Sequence, residues 1–335
     1  MYDDFQDHFF RQLGGQFPQR GRLAEAVSDT LALSKDAAYR RLSGATSLTA
    51  DEMLRLSIRF QVPLPNPSKG IEFRYNQLEQ KIRAPKDYLN QMEQYLELVD
   101  NWPEKTLYYA TPDLPFFYEM LSPNLLAFKF YVFGIASWGF KHWEDQPFRR
   151  ELIDSQDLER AAEIGRYAYR IPTLELWTTS VLDSTLSQVE YMTMTGRFAD
   201  PQYALLIIDD LSEVVDHIEK IAIAGKKFAP GDDPKHSNIP FSLHYNELLY
   251  VSTTILIHSP QANLLFLSFI TPNYLQTADP ILGREVKEWF DGLIEAATKL
   301  GEHTSKYRNW YFNRLRGQIE STRKRVERII LDREI

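Results

Sequence analysis

Apolar residues recur at helical spacing from the start of the chain. Phe5, Phe9 and Leu13 fall at i, i+4 and i+8, which predicts a helix capped by Asp3 or Asp4 and ended by Gly14-Gly15. Leu23, Val27 and Leu31 repeat the spacing in a second helix that begins near Gly21. Leu33-Ser34 makes a turn, with the Ser34 hydroxyl placed to cap a third helix in which Ala38 and Leu42 face inward. Gly44 is a natural stop, and Thr49 with Glu52 spells a capping box for a fourth helix carrying Met53, Leu56 and Phe60. Pro63, Pro65 and Pro67 then end any helix, so residues 63–70 read as a stiff linker.

Beyond the linker the pattern is less regular. Tyr88, Leu89, Met92, Tyr95, Leu96 and Val99 predict a helix, and Leu107 to Ala110 is strand-like. Further helices are expected over 123–141, 154–169, 184–195, 203–225, 280–300 and 305–332. Phe241–Tyr250, Ser252–His258 and Asn263–Ile270 are short apolar runs rich in β-branched and aromatic residues, which suggests a small antiparallel sheet. The fold class is therefore mainly α. A four-helix unit over 1–62 precedes a larger, mostly helical α+β region over 71–335.

Charge alters this picture only locally. The chain has 335 residues and a net charge of −8, which argues against non-specific nucleic-acid binding by the whole surface. Residues 1–62 carry 8 basic and 8 acidic side chains, and residues 305–335 carry 9 and 4, so the acidic surplus lies between them. A local DNA-binding surface is thus compatible with the total. There is no cysteine, which excludes disulfides, thiolate metal sites and a Cys nucleophile and fits a reducing cytoplasm. MYDDFQDHFF lacks the basic start of a signal peptide. The apolar run Leu125–Phe140 contains Lys129 and is shorter than the about 20 residues a membrane span needs. A cytoplasmic protein that does not engage a membrane is expected.

The stretch Leu31–Gly44 has the form of the turn and second helix of a helix-turn-helix. The core Val27-Ser28-Asp29-Thr30-Leu31-Ala32-Leu33-Ser34, followed by Ala38-Tyr39-Arg40-Arg41-Leu42-Ser43-Gly44, resembles the XRE, or lambda-repressor-like, regulators over about residues 21–62. Many such turns have Gly where Ala32 stands; a left-handed backbone there would cost Ala roughly 1 kcal/mol. The resemblance implies a recognition helix in the major groove of double-stranded DNA. The candidate DNA contacts are Arg22, Ser34, Lys35, Asp36, Tyr39, Arg40, Arg41 and Ser43, with Arg suited to guanine and Lys and Tyr to phosphate. The alternative is a four-helix bundle for protein contact with solvated arginines.

The whole layout also resembles a group of uncharacterised bacterial proteins with a short helix-turn-helix and a region of about 250 residues. The matching stretches are Leu107–Ala110 through Leu126–Tyr131, Ile171–Trp177, Gln188–Tyr191 and Trp310–Arg316. That likeness implies a regulator, expected here as a homodimer, and supplies no effector, whether small molecule or protein.

Other chemistry is sparse. The aromatic run over 108–143 offers Tyr109, Phe117, Phe130, Trp138 and Trp143 as walls of a ligand pocket, or else as core. The C-terminal helix carries Arg314, Arg316, Arg323, Lys324, Arg325 and Arg328, either as a second phosphate-contacting or dimer surface or as the basic face of an ordinary amphipathic helix. The seven histidines show no HExxH or HxH spacing, and Gly225-Lys226-Lys227 lacks the rest of a P-loop. No catalytic residue, metal site or cofactor is assigned. An enzyme or interaction scaffold in the C-terminal region, with the helix-turn-helix as its targeting module, is the alternative function.

Overall fold

The computed structural model describes residues 5–64, 70–246 and 252–333. Asp3 and Asp4, most of the 63–70 linker, and residues 247–250 of the expected third-last strand region lie outside the described residues.

Four helices open the chain: α1 (Phe5–Gly14), α2 (Arg20–Leu31), α3 (Lys35–Leu42) and α4 (Ala50–Phe60). Each buries its apolar stripe in one cluster, with Phe9, Leu13, Val27, Ala38 and Leu56 at its centre. β1 (Arg74–Tyr75), α5 (Asn76–Glu79) and α6 (Pro85–Asp100) lead to β2 (Thr106–Thr111). Then α7 (Phe116–Glu119), α8 (Pro123–Phe133), α9 (Lys141–Glu144) and α10 (Ser155–Ala168) precede β3 (Thr173–Trp177). Next, α11 (Asp183–Met194) and α12 (Gln202–Ala224) connect to β4 (Lys226–Lys227) and β5 (Ile239–Tyr245). The strands β6 (Thr254–Ser259), β7 (Ala262–Ser268) and β8 (Tyr274–Thr277) form a meander, followed by α13 (Pro280–Glu295), β9 (Thr298–Lys299) and α14 (Ser305–Arg333).

The sheet corrects the sequence expectation. Among the described residues it has nine strands in the order β1-β8-β7-β6-β2-β3-β5-β4, with β9 on β5, and it is mixed. The central pairs β2–β3 and β3–β5 are parallel, joined by helical crossovers. The remaining pairs are antiparallel.

Alternation along the strands divides the core in two. Leu107, Tyr109, Ile255, Ile257 and Phe266 face α6, and Trp177 and Leu243 join the main helical core. Ala110, Leu176, Leu256 and Leu265 face the other way, against Phe290 of α13. The expected 123–141 helix stops at Phe133 and continues as a π-helical turn, Gly134–Trp138, closed by Gly139 at φ 68°. Gly134 is required there, because a Cβ would lie 2.5 Å from the Trp143 ring.

Three of the basic side chains singled out on α14 reach acids on the neighbouring helices, whereas Lys324 and Arg328 stay exposed and pair with Glu320 and Asp332 of α14 itself. Arg316 bonds Asp216 (2.7 Å) and Glu219 of α12, Arg323 bonds Asp209, and Arg325 bonds Glu190 of α11 (2.9 Å). Asp210 instead caps α8, accepting from the Ser122 hydroxyl (2.6 Å) and Leu125 N–H (3.3 Å). Among the described residues, no helix is long and apolar enough to cross a membrane.

Candidate functional site

The connection between α2 and α3 is built by short-range bonds. Ala32 ends α2 at φ 54°, ψ 45°, its N–H reaching the carbonyls of Ser28 and Asp29. The backbone there is left-handed, so the absence of Gly is a real cost. Ser28 holds the turn from both sides: its carbonyl accepts from Leu33 N–H (2.9 Å), and its hydroxyl donates to the Leu33 carbonyl (2.6 Å). Ser34 caps α3, its hydroxyl oxygen accepting from Ala37 N–H (3.3 Å).

Helix α3 buries Ala38 fully and Leu42 partly, and leaves its other side open. Lys35, Asp36, Tyr39, Arg40 and Ser43 are exposed, with Tyr39 at 42%. Arg22 lies alongside on α2. Glu25 binds both Lys35 (3.0 Å) and Arg22 (3.3 Å), and these cations hold its carboxyl below the usual carboxylate range. Both cations are largely exposed and Glu25 is half-exposed, so the bridges exchange readily with solvent or a stronger anion.

Arg41 is placed differently. Its Nη2 and Nε donate to the two oxygens of Glu52 (2.7 and 3.1 Å), and Nη1 donates to the Ala37 carbonyl (3.3 Å). Glu52 also accepts from Thr49 N–H (2.9 Å) and completes the capping box of α4. Gln6 from α1 donates to the Arg41 carbonyl (2.8 Å). This fork joins α3 to α4 and leaves Arg41 a structural side chain, set apart from the exposed group.

The aromatic set separates in the same way. Tyr109 and Phe117 line a cavity of ≈ 90 Å³ between α6 and the sheet. Phe130, Trp138 and Trp143 do not; they are buried core. Trp138 packs on Tyr88, Phe130, Phe133 and Phe140, and Trp143 stacks on Tyr131 at 6.0 Å and meets Phe140 edge-on at 5.0 Å. The π-helical turn folds this stretch onto α8, which draws its rings into one block.

Two buried polar groups carry no sequence motif. Lys129, the interruption in the apolar run, lies 3.4 Å from Glu119 and donates to Thr185 (2.6 Å) and Gln188 (3.3 Å). Both charges line a polar cavity of ≈ 180 Å³ beyond Thr111, at the carboxyl end of β2. Burial outweighs Lys129 and raises the Glu119 carboxyl to about 7, so it can hold or release a proton near neutrality. Glu175, mid-sheet, accepts from the Tyr118 hydroxyl (2.7 Å) and Trp177 Nε1 (2.8 Å), and burial pushes its carboxyl up. Nearby Lys227, lowered by burial to about 8, donates to the Ala168 carbonyl (3.1 Å). For Glu119, Lys129 and Glu175 a lone charge inside an apolar run was the available signal; Lys227, beside Lys226, offered none.

Comparison with protein-family models, with curated proteins and with solved structures finds no match.

Proposed function

We propose that the chain is a sequence-specific DNA-binding regulator, with α2, the Ala32–Ser34 turn and α3 acting as a helix-turn-helix. The larger region would then serve dimerisation and effector sensing. One observation carries the reading: α3 is docked on α2 through Ala38 while Lys35, Tyr39, Arg40 and Ser43 stay uncovered. A helix masked by the C-terminal region would not keep that face open, and the DNA titration separates recognition from a merely solvated polar face. The nearby cations Arg22 and Lys35 suit phosphates flanking a groove, and the Arg40 fork suits a guanine edge. A two-fold dimer would set its recognition helices about 34 Å apart on a pseudo-palindromic site.

The test is binding of the purified chain to fragments of its own upstream region and to random DNA across a salt series. One fragment is expected to bind well above random, with affinity falling as salt rises. Arg40→Ala and Tyr39→Ala should each weaken that binding about tenfold or more while leaving the thermal transition in place. Arg41→Ala should instead lower stability by about 1–3 kcal/mol, because Glu52 loses its partner in a half-buried site. Equal, weak binding to every fragment, or unchanged binding by Arg40→Ala and Tyr39→Ala, overturns the assignment.

A further inference from the structure

We propose that the cavity between α6 and the sheet binds a small, neutral, largely apolar molecule carrying one hydrogen-bond donor. Its floor is apolar, with Leu107, Ile255, Ile257 and Phe266 rising from β2, β6 and β7, and Met92 and Leu96 of α6 roof it. Protein interiors rarely leave a void larger than a water molecule, and an empty apolar one weakens the fold in proportion to its volume. A retained space of ≈ 90 Å³ is therefore unusual in so well packed a core.

The chemistry of its polar end narrows the occupant. Asn76 is already committed: its amide donates to Gln91 Oε1 (2.9 Å) and its Oδ1 accepts from Tyr274 N–H (3.3 Å). Gln276 is not. It lines the cavity at 2% exposure, and its Nε2 faces the Glu79 carboxylate (3.5 Å), which fixes the donor end of the amide on that side. Its Oε1 is buried with no hydrogen-bond partner, a state that a ligand hydroxyl or amide N–H would relieve. No charged side chain lines the cavity among the described residues, so an ionised ligand would be stranded there.

The site also lies next to the N-terminal unit. Gln276 is the register partner of Arg74 in β1, and Arg74 Nη1 donates to Gln61 Oε1 (2.8 Å) at the end of α4. Use of this ligand as an effector rests on the regulator reading; the binding site itself does not.

Ligand-observed NMR on the full chain, with straight-chain alcohols from ethanol to hexanol, tests the proposal without DNA. Affinity should rise about fourfold per methylene until the cavity is filled. The methyl ether of the best-fitting length, which lacks the donor, should bind at least about fivefold more weakly, and the matching carboxylate should not bind. Gln276→Met should erase the alcohol–ether difference while keeping the length dependence. Ile257→Phe should block binding, and Leu96→Phe serves if the first variant does not fold. No saturable alcohol binding, or binding that survives the filled cavity, overturns the proposal. A DNA titration with and without the best alcohol is the separate arm: a shifted affinity supports the effector role, and bound alcohol with unchanged DNA affinity overturns that role alone.

Discussion

Ala32 is where a single residue works against its own turn. At φ 54° its Cβ crowds the following carbonyl, and Gly would meet no such penalty. Ala32→Gly is expected to raise stability by about 0.5–1 kcal/mol, read as a higher urea midpoint. A lower midpoint would mean that the methyl group contributes packing worth more than the strain. Glu119 offers a second test, through pH. Its carboxyl is raised from 4.5 to about 7 by burial, with Lys129 opposing and Asp113 adding to the rise. Below pH 4.5 it is protonated whether the chain is folded or not. Between 4.5 and about 7 the unfolded chain ionises first, so this group's contribution to stability falls as pH rises, by at most about 3 kcal/mol, and is flat above. Glu119→Gln removes the proton exchange but leaves Lys129 its bonds to Thr185 and Gln188. The stability of the parent relative to the variant should therefore decline from pH 5 to pH 7. Parallel curves would show that Glu119 does not titrate there.

Elements differed in legibility according to how far apart their determinants lie. The cap at Ser34, the stop at Gly44 and the Thr49–Glu52 box are complete within four residues, and all three are present. Helices α10, α11, α12 and α14 begin and end close to their expected bounds for the same reason, whereas α13 stops at Glu295 and Thr298–Lys299, expected within that helix, pair with β5 as β9. The β6–β7 hairpin is local too, with Ser259 paired to Ala262 across a two-residue turn. The parallel centre is not local. β3 carries Glu175 in mid-strand, and its partners Leu107–Thr111 and Phe241–Tyr245 lie more than sixty residues away on either side, so no alternation within Thr173–Trp177 shows them. Arg41 was misplaced by a related distance effect. Its spacing in α3 allows an outward side chain, but Glu52 on the next helix draws it back. The open face of Lys35, Tyr39 and Arg40 was readable because one helix makes it. The two cavities were not, because each is assembled from strands and helices far apart in sequence.

At the scale of the whole molecule, the question is how the N-terminal four helices are held on the sheet. Gly15, just after α1, sits against the tip of the β6–β7 hairpin: a Cβ there would lie 2.6 Å from the Gln261 carbonyl oxygen. Its φ is not left-handed, so space alone, and not backbone strain, demands Gly. Gly14 is the natural control, because its Cβ would make an ordinary 3.5 Å contact with Leu23. The strands of this hairpin also floor the apolar cavity through Ile255, Ile257 and Phe266. Contact at the tip and occupancy of the floor therefore act on the same two strands. Gly15→Ala should force the tip away at a cost of about 1–3 kcal/mol, whereas Gly14→Ala should be near neutral. Hydrogen exchange is the measurement: faster exchange confined to the hairpin and α1 in Gly15→Ala, and absent in Gly14→Ala, would establish that the hairpin is the strut between sheet and helices. Equal protection in both variants would leave the Arg74–Gln61 bond as the connection to examine, with β8 rather than the hairpin as the route from the cavity to α4.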